Sequence, residues 1–356
     1  MPSGRPAGGD GRGSGVEDRS RFHGSSHECS RGVAGHRAAG AEVGRAVNAT
    51  LSDIIEANAP IPTWFRVGGK ADLLARPRSV EELRDLLRMF AGERISVLGD
   101  GANLLVDDEG VDGLVLSLEH LNRVEYLGFD GGAALPDRAT TIFVRAEAGA
   151  RLPKLITQTN RDGLEGLEHL GGIPASIGGA VFMNAGGAFG DIAQSIESVT
   201  ALTRLGDELT IPHDEINFDY RHSGLSWLII TSVEFHLESI PEAKRAAARQ
   251  RLKDVMTYKK SSQPLREDSA GCVFKNPVLS GTRVSAGKLI DQSGCKRLRV
   301  GGAEVSDIHA NFIVTHPGCT ARDILNLLEE VRERVERSHS IRLEPEIAIW
   351  QRGGKA

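Results

Sequence analysis

GLEGLEHLGGIPASIGGAVFMNAGG, from Gly163 to Gly187, is dense in glycine, nearly free of charge after His169, and fits neither a helical nor a strand period. Glycine tolerates positive φ and lets a ligand approach the main chain closely, so such a run suits backbone wrapped against a large cofactor. Pro174 fixes a turn just ahead of Ser176, Gly178 and Gly179, and Asn184 offers an amide directly before Ala185, Gly186 and Gly187. Main-chain N–H groups exposed in consecutive turns form an anion-binding nest, which makes a diphosphate the ligand expected here. A buried loop between strands is the other reading, and residue type alone leaves both open.

The totals narrow the field. A chain of 356 residues can fill two or three domains, each with its own core. A net charge of −5 gives no electrostatic reason to expect nucleic acid or an anionic membrane as partner. Hydrophobic content of 40% with 26% charged residues is ordinary for a globular protein, and no apolar run reaches bilayer-spanning length. Cys29, Cys272, Cys295 and Cys319 show neither paired metal spacing nor a dense framework, so no metal and a reduced, cytoplasmic setting are expected. Residues 1–50 are rich in Gly, Arg, Ser and Ala, with Phe22 the single aromatic residue. Such a composition buries too little surface to offset ordering entropy, so this tail is expected to be disordered; it also lacks the apolar core of a secretory signal.

Order is expected from Leu51. TWFRVGGKA (Thr63–Ala71) leads into a strand-like run, Leu73–Ala75. Ser79 and Glu82 read as a capping box opening a helix with Val80, Leu83, Leu86, Leu87 and Phe90 on one face; Gly92 closes it and Ile95–Leu98 follows as a buried strand. GDGAN (Gly99–Asn103) then invites a dinucleotide-binding fingerprint, but the third glycine is absent and Leu104–Val106 continues as a strand. What remains is a tight turn with free N–H groups, a second phosphate contact. Strands are expected at 113–118 and 141–148 around a loop at Asp130–Pro136, with a helix over 153–160 delivering the glycine run. Two long strands, 196–202 and 227–237, precede a charged helix at 241–260 that hinges into a last region. That region alternates a strand at 271–274, a helix capped by Ser285 and closed by Gly294, a strand at 310–315, a helix opened by a Thr320–Asp323 capping box, and a strand at 344–350.

Three short motifs carry candidate chemistry. Tyr220-Arg221 sits in a polar turn, where an arginine is most often merely solvated. Cys272 follows a small, flexible pair in Ser269-Ala-Gly-Cys, and a lone cysteine is most often a small buried hydrophobe. Leu343-Glu-Pro-Glu346 places an acid beside an apolar strand, and a buried carboxylate needs a partner or a raised pKa.

Taken in order, TWFRVGGKA, LGDGANLLV, the glycine run, YRHS, SAGCVFKNP, AGKLIDQSG and LEPEIAIW resemble the UDP-N-acetylenolpyruvoylglucosamine reductase (MurB) family over about Ala59–Trp350. The resemblance implies an α+β chain: a two-lobed FAD-binding domain of the vanillyl-alcohol-oxidase (PCMH) type at 51–125 and 126–240, then a C-terminal α/β substrate-binding domain at 241–356. It implies dissociable FAD held by Gly99, Asp100, Gly101, Ala102, Asn103, Ile173, Ser176, Gly178, Gly179, Asn184, Ala185 and Gly186, chiefly through main-chain amides. It also implies NADPH as donor and a UDP-sugar enolpyruvyl ether as substrate, reduced to UDP-N-acetylmuramate by way of the flavin N5. Arg221 and Glu346 would then stabilise the enolate, and Cys272 would deliver the proton.

Two positions depart from the family pattern. Cys272 replaces the usual serine; with an ordinary pKa of about 8.5 the thiol is mostly protonated at neutral pH, yet open to oxidation and alkylation. Ala175 replaces a usual glycine. The span from Arg221 to Cys272 is too short for the tyrosine-bearing insertion of some members, which implies the compact subtype. Tyr220, Lys260, Lys275 and Asn276 are then the expected substrate contacts, and a monomer the expected state. The competing readings are a flavin oxidase of the same cofactor fold and a non-catalytic nucleotide-binding relative; YR, SAGC and LEPE occurring together weigh against both.

Overall fold

The structure, a computed structural model, describes residues 49–128 and 140–354. The tail up to residue 48 and the loop expected at 130–136 lie outside the described residues. The first sheet takes the strands Ile55–Pro60, Lys70–Ala75, Val111–Ser117 and Ile95–Leu98 in that spatial order. Its first pair is antiparallel and the rest parallel. The Val80–Met89 helix packs through Leu83, Leu86 and Leu87, the i, i+3, i+4 stripe expected of an amphipathic helix. Its cap is half the box expected: the Ser79 side chain accepts from the Glu82 N–H, but the Glu82 carboxylate turns to the Arg78 N–H and guanidinium. The Thr320–Asp323 box at the start of the Ala321–His339 helix is complete.

The second sheet is antiparallel, with Glu208–Pro212, Ile196–Leu202, Ile229–Ser239, Thr140–Glu147 and Val124–Leu127 side by side. Along Ile229–Ser239 the buried Val233, Phe235 and Leu237 alternate with Glu234, His236 and Glu238, the period-2 pattern of a sheet with one covered face. The strands at 208–212 and 124–127 carry mostly exposed side chains, so apolar runs did not signal them.

The C-terminal part packs the helices Ala286–Gln292 and Ala321–His339 on a small sheet of Arg299–Val300, Ala303–Val305 and Ile313–Thr315. Residues 271–274, expected as a strand, contribute only isolated bridges, Cys272 to Phe312 and Phe274 to Pro345. The closing strand is shorter than expected, Ala348–Trp350, and pairs in parallel with Leu104–Val106. One apolar core therefore joins Phe65 and Leu105 to Val273, Phe274, Ile324 and Leu343. That pairing sets the 344–350 segment directly against the GDGAN turn. Among the described residues no helix is long and apolar enough to cross a membrane.

Candidate functional site

A single cavity of about 1160 Å³ runs between these parts. It exceeds the roughly 300–1,000 Å³ usual for one drug-sized ligand, leaving room for a dinucleotide and part of a second molecule. All the residues expected at the site line it except Lys260 and Lys275.

The glycine run lines it, but not as the nest that residue types implied. The Ile177 N–H donates to Ala150 O, that of Gly178 to Ala148 O, and that of Gly179 to the Ser176 side chain, which caps the short Ile177–Phe182 helix. The Asn184 amide is likewise turned inward: Nδ2 donates to Asp219 O and Oδ1 accepts from the Ala193 N–H. These glycines instead permit close approach, since a Cβ on Gly178 would stand 2.9 Å from the Ala148 Cβ. Free amides lie in the adjoining turn, whose Gly99 packs against Ser176 and Gly179. The N–H groups of Asp100, Gly101 and Ala102 find no acceptor among the described residues. Gly101 holds φ +66, and a Cβ there would meet Pro62 O at 2.2 Å. Free amides in a glycine turn, facing a long cavity walled by close-packed glycines, fit a cofactor diphosphate.

The side-chain chemistry gathers beyond this turn. Asn103 Nδ2 donates to Glu346 O at 3.2 Å, tying the turn to the LEPE segment. Arg221 occupies the tip of a turn closed by two hydrogen bonds between Asp219 and His222, and its φ of +56 is a left-handed conformation held at a cost by its surroundings. Its Nε donates to Glu346 Oε1 at 2.5 Å, both side chains being nearly buried. Burial pushes the Glu346 carboxyl up against the pull of Arg221. For the arginine, burial opposes the charge, but the charge and hydrogen bond of Glu346 outweigh it. The Arg221 guanidinium therefore stays charged, aimed by a carboxyl that takes a proton more readily than a surface one.

Cys272 corrects an expectation. Its thiol does not keep the ordinary value near 8.5: burial, helped by the Glu346 charge, pushes it up to about 12, against Arg221 and a hydrogen bond with Asn311. Asn311, 2% exposed, clamps this segment by accepting from the Phe274 N–H and donating to Phe274 O. No motif pointed to it.

The lysine expected at 260 is displaced by one residue. Lys260 is exposed and stands away from the cavity, whereas Lys259 lines it, is 7% exposed, and its ammonium has no hydrogen-bond or ion-pair partner among the described residues. The buried face of the Glu242–Ser262 helix runs Ala248, Val255, Lys259, and that spacing of seven and four was a readable signal. Burial and then the Arg221 charge lower the Lys259 ammonium to about 8. Lys275 pairs instead with Glu344 outside the cavity, at 3.8 Å. Tyr220 and Asn276 do line it, but partly as framework: the Tyr220 hydroxyl accepts from the Asn276 N–H, and Asn276 Oδ1 accepts from the Ala286 N–H. At the mouth, Phe189 and Tyr258 meet edge to face with centroids 5.4 Å apart.

A flavin-type cavity with an arginine–carboxyl pair and a proton-bearing thiol at one end defines a class, the FAD-binding oxidoreductases. Residues 71–211 match the FAD binding domain family, and residues 263–350 match the UDP-N-acetylenolpyruvoylglucosamine reductase C-terminal domain. The chain is 42% identical to the UDP-N-acetylenolpyruvoylglucosamine reductase of Moorella thermoacetica, over 82% of this chain and 91% of that protein. It is 40% identical to the one from Parasynechococcus marenigrum, over 81% and 92%. The crystal structure of the reductase (MurB) from Thermus caldophilus superposes with a TM-score of 0.67 at 37% identity, covering 81% of this chain and 95% of that one. The chain belongs to the UDP-N-acetylenolpyruvoylglucosamine reductase family, an enzyme family of peptidoglycan precursor synthesis.

Proposed function

We propose that this chain uses NADPH to reduce the enolpyruvyl ether of UDP-N-acetylglucosamine to UDP-N-acetylmuramate. The observation that carries the reading is the convergence of Arg221, Glu346 and Cys272 in a cavity whose wall also offers free amides at Asp100–Ala102. FAD, when bound along that wall, supplies the hydride chemistry that no side chain can.

The remaining work falls to the protein. Addition at the β-carbon of the double bond places negative charge on the α-carbon and its carboxylate. Arg221, held by Glu346 with both side chains largely buried, stabilises that charge without having to reorganise. The carboxyl of Glu346 serves by orienting the guanidinium. The Cys272 Sγ holds a proton throughout the neutral range and passes it to the α-carbon. The thiolate left behind is eased by Arg221 and Asn311, the two groups that lower its pKa. Lys259, buried, cationic and unpartnered, is suited to hold an anionic group of either nucleotide ligand.

Anaerobic half-reactions test this. The yellow holoenzyme should bleach with NADPH and recover its colour with the enolpyruvyl UDP-sugar. Cys272→Ala should bleach normally but fail to recover, and Cys272→Ser should recover. If Cys272→Ala loses bleaching while staying folded and loaded with flavin, the proton-donor role is wrong. If the wild type bleaches and never recovers with this acceptor, the substrate is wrong.

A further inference from the structure

The hairpin formed by Val278–Leu279 and Thr282–Arg283 bends back over the YR turn and carries a second arginine to the cavity. The Arg283 guanidinium lies 3.8 Å from the Tyr220 ring centroid, and its Nη1 donates to Asn276 O. It has no carboxylate partner among the described residues, unlike Arg221, which pairs with Glu346, and Arg297, which pairs with Asp307. An arginine stacked on an aromatic face keeps the edge of its guanidinium, with its remaining N–H donors, free for a planar or tetrahedral anion. Tyr220 also touches Arg221, whose guanidinium carbon is 5.2 Å from the same ring.

Cations lining the Arg221 end of the cavity therefore divide in two. Arg221 is committed to Glu346, whereas Lys259 and Arg283 have no acid to neutralise them. A nucleotide-sugar acceptor brings two anionic groups, a carboxylate beside the reacting double bond and a diphosphate farther out. Arg221 claims the first. Arg283, on the exposed rim and tied through Asn276 to the start of the Ala286–Gln292 helix, stands where the second would leave the cavity.

We propose that Arg283 is a specificity-determining residue that takes the diphosphate of the nucleotide-sugar substrate, with Tyr220 as the platform that holds its guanidinium edge-on to the cavity. The inference rests on the proposed function and names the group of that substrate which this residue reads. A nucleotide diphosphate could also come from NADPH, so the test separates the two.

Arg283→Met and Arg283→Lys are prepared as holoenzymes. UDP and uridine are titrated into each by calorimetry, and KM and kcat are measured for the UDP-sugar and for NADPH. Losing one charge-assisted contact should weaken UDP binding and raise the UDP-sugar KM by about 10-fold or more in Arg283→Met. Uridine binding, kcat and the NADPH half-reaction should stay within about 3-fold on the same scale. Arg283→Lys should recover part of the UDP affinity, because it restores the charge and not the fork. UDP affinity unchanged in Arg283→Met overturns the proposal. So does a loss confined to NADPH, which would make the dinucleotide the occupant, or a fall in kcat with KM unchanged, which would leave Arg283 as mere support for Arg221. A wild type that binds UDP in an Arg283-dependent way but never turns over the UDP-sugar would break the proposed reaction and leave the diphosphate contact standing.

Discussion

The Gly99–Asn103 turn and the cluster of Arg221, Glu346, Cys272 and Lys259 face one cavity and recognise by opposite means. The turn offers main-chain N–H groups from three consecutive residues, Asp100 to Ala102; the cluster brings side chains from four separated stretches of chain. A main-chain site fails when its backbone path is altered and is indifferent to most side chains. A side-chain site depends on charges held out of water, so each member sets the protonation of the others. The largest expected effect tests that dependence. Arg221→Met should lower kcat by about 10²–10³-fold, the scale of one lost donor at a developing oxyanion. It should also destabilise the fold by roughly 3–5 kcal/mol, because Glu346 would be left buried without its ion-pair partner. Steady-state rates and thermal melts check both. A variant that keeps its Tm would show that Glu346 is held neutral in the wild type.

The turn should break differently. Gly101→Ala forces a Cβ against Pro62 O in a left-handed conformation, so the backbone of the turn must shift. The expected result is a loss of bound flavin by about tenfold at equal protein, roughly the value of one or two hydrogen bonds to a charged group. Absorbance at the flavin band relative to protein measures it. Flavin affinity equal to wild type would mean that the amides of residues 100–102 are not the diphosphate cradle.

This contrast also explains what the sequence made legible. The elements were readable wherever apolar period decided them, as at Leu83, Leu86 and Leu87 or along Ile229–Ser239. The turn was readable because glycine spacing is a local property. The glycine run was half readable: its residues do line the cavity, but the partners of its amides, Ala148 and Ala150, belong to another segment and only folding brings them there. The cluster was readable by family resemblance for Arg221, Cys272 and Glu346. Position 259 was missed because a lysine on a buried stripe contradicts composition rules. Asn311 was missed because one asparagine among apolar residues has no pattern at all.

Lys259 gives an effect of intermediate size with two signs. In the folded protein its ammonium loses its proton near 8, below its ordinary 10.5, so the unfolded chain binds more protons between those values. Stability should therefore rise as pH increases through that window, and at pH 7 the buried charge should cost on the order of 3 kcal/mol. Lys259→Met removes the cost and should raise Tm by several degrees at pH 7 while weakening the anionic substrate. In the wild type, kcat/KM should fall as pH rises through about 8, and Lys259→Met should lose that step. Equal Tm values at pH 7 would show that Lys259 is paired or neutral there.

The smallest effect concerns the thiol and joins the cluster's members most directly. With its pKa pushed up to about 12, Cys272 should be a poor nucleophile at pH 7.5, its thiolate fraction some 10³-fold or more below that of a free cysteine. The serine-to-cysteine replacement thus carries little of the oxidative liability that its residue type implies. Iodoacetamide should label Cys272 no faster than Cys319, whose thiol is pushed up to about 11 chiefly by burial. The neighbours then set the direction of change. Glu346→Gln removes the charge that raises the thiol pKa and leaves Arg221 unopposed, so labelling of Cys272 should speed up. Arg221→Met removes the charge that lowers it, so labelling should slow further. Mass spectrometry of alkylated peptides reads both, independently of turnover. Equal labelling rates in the wild type and the two variants would mean that burial alone governs the thiol, and that the cluster is a set of neighbours rather than one coupled acid–base unit.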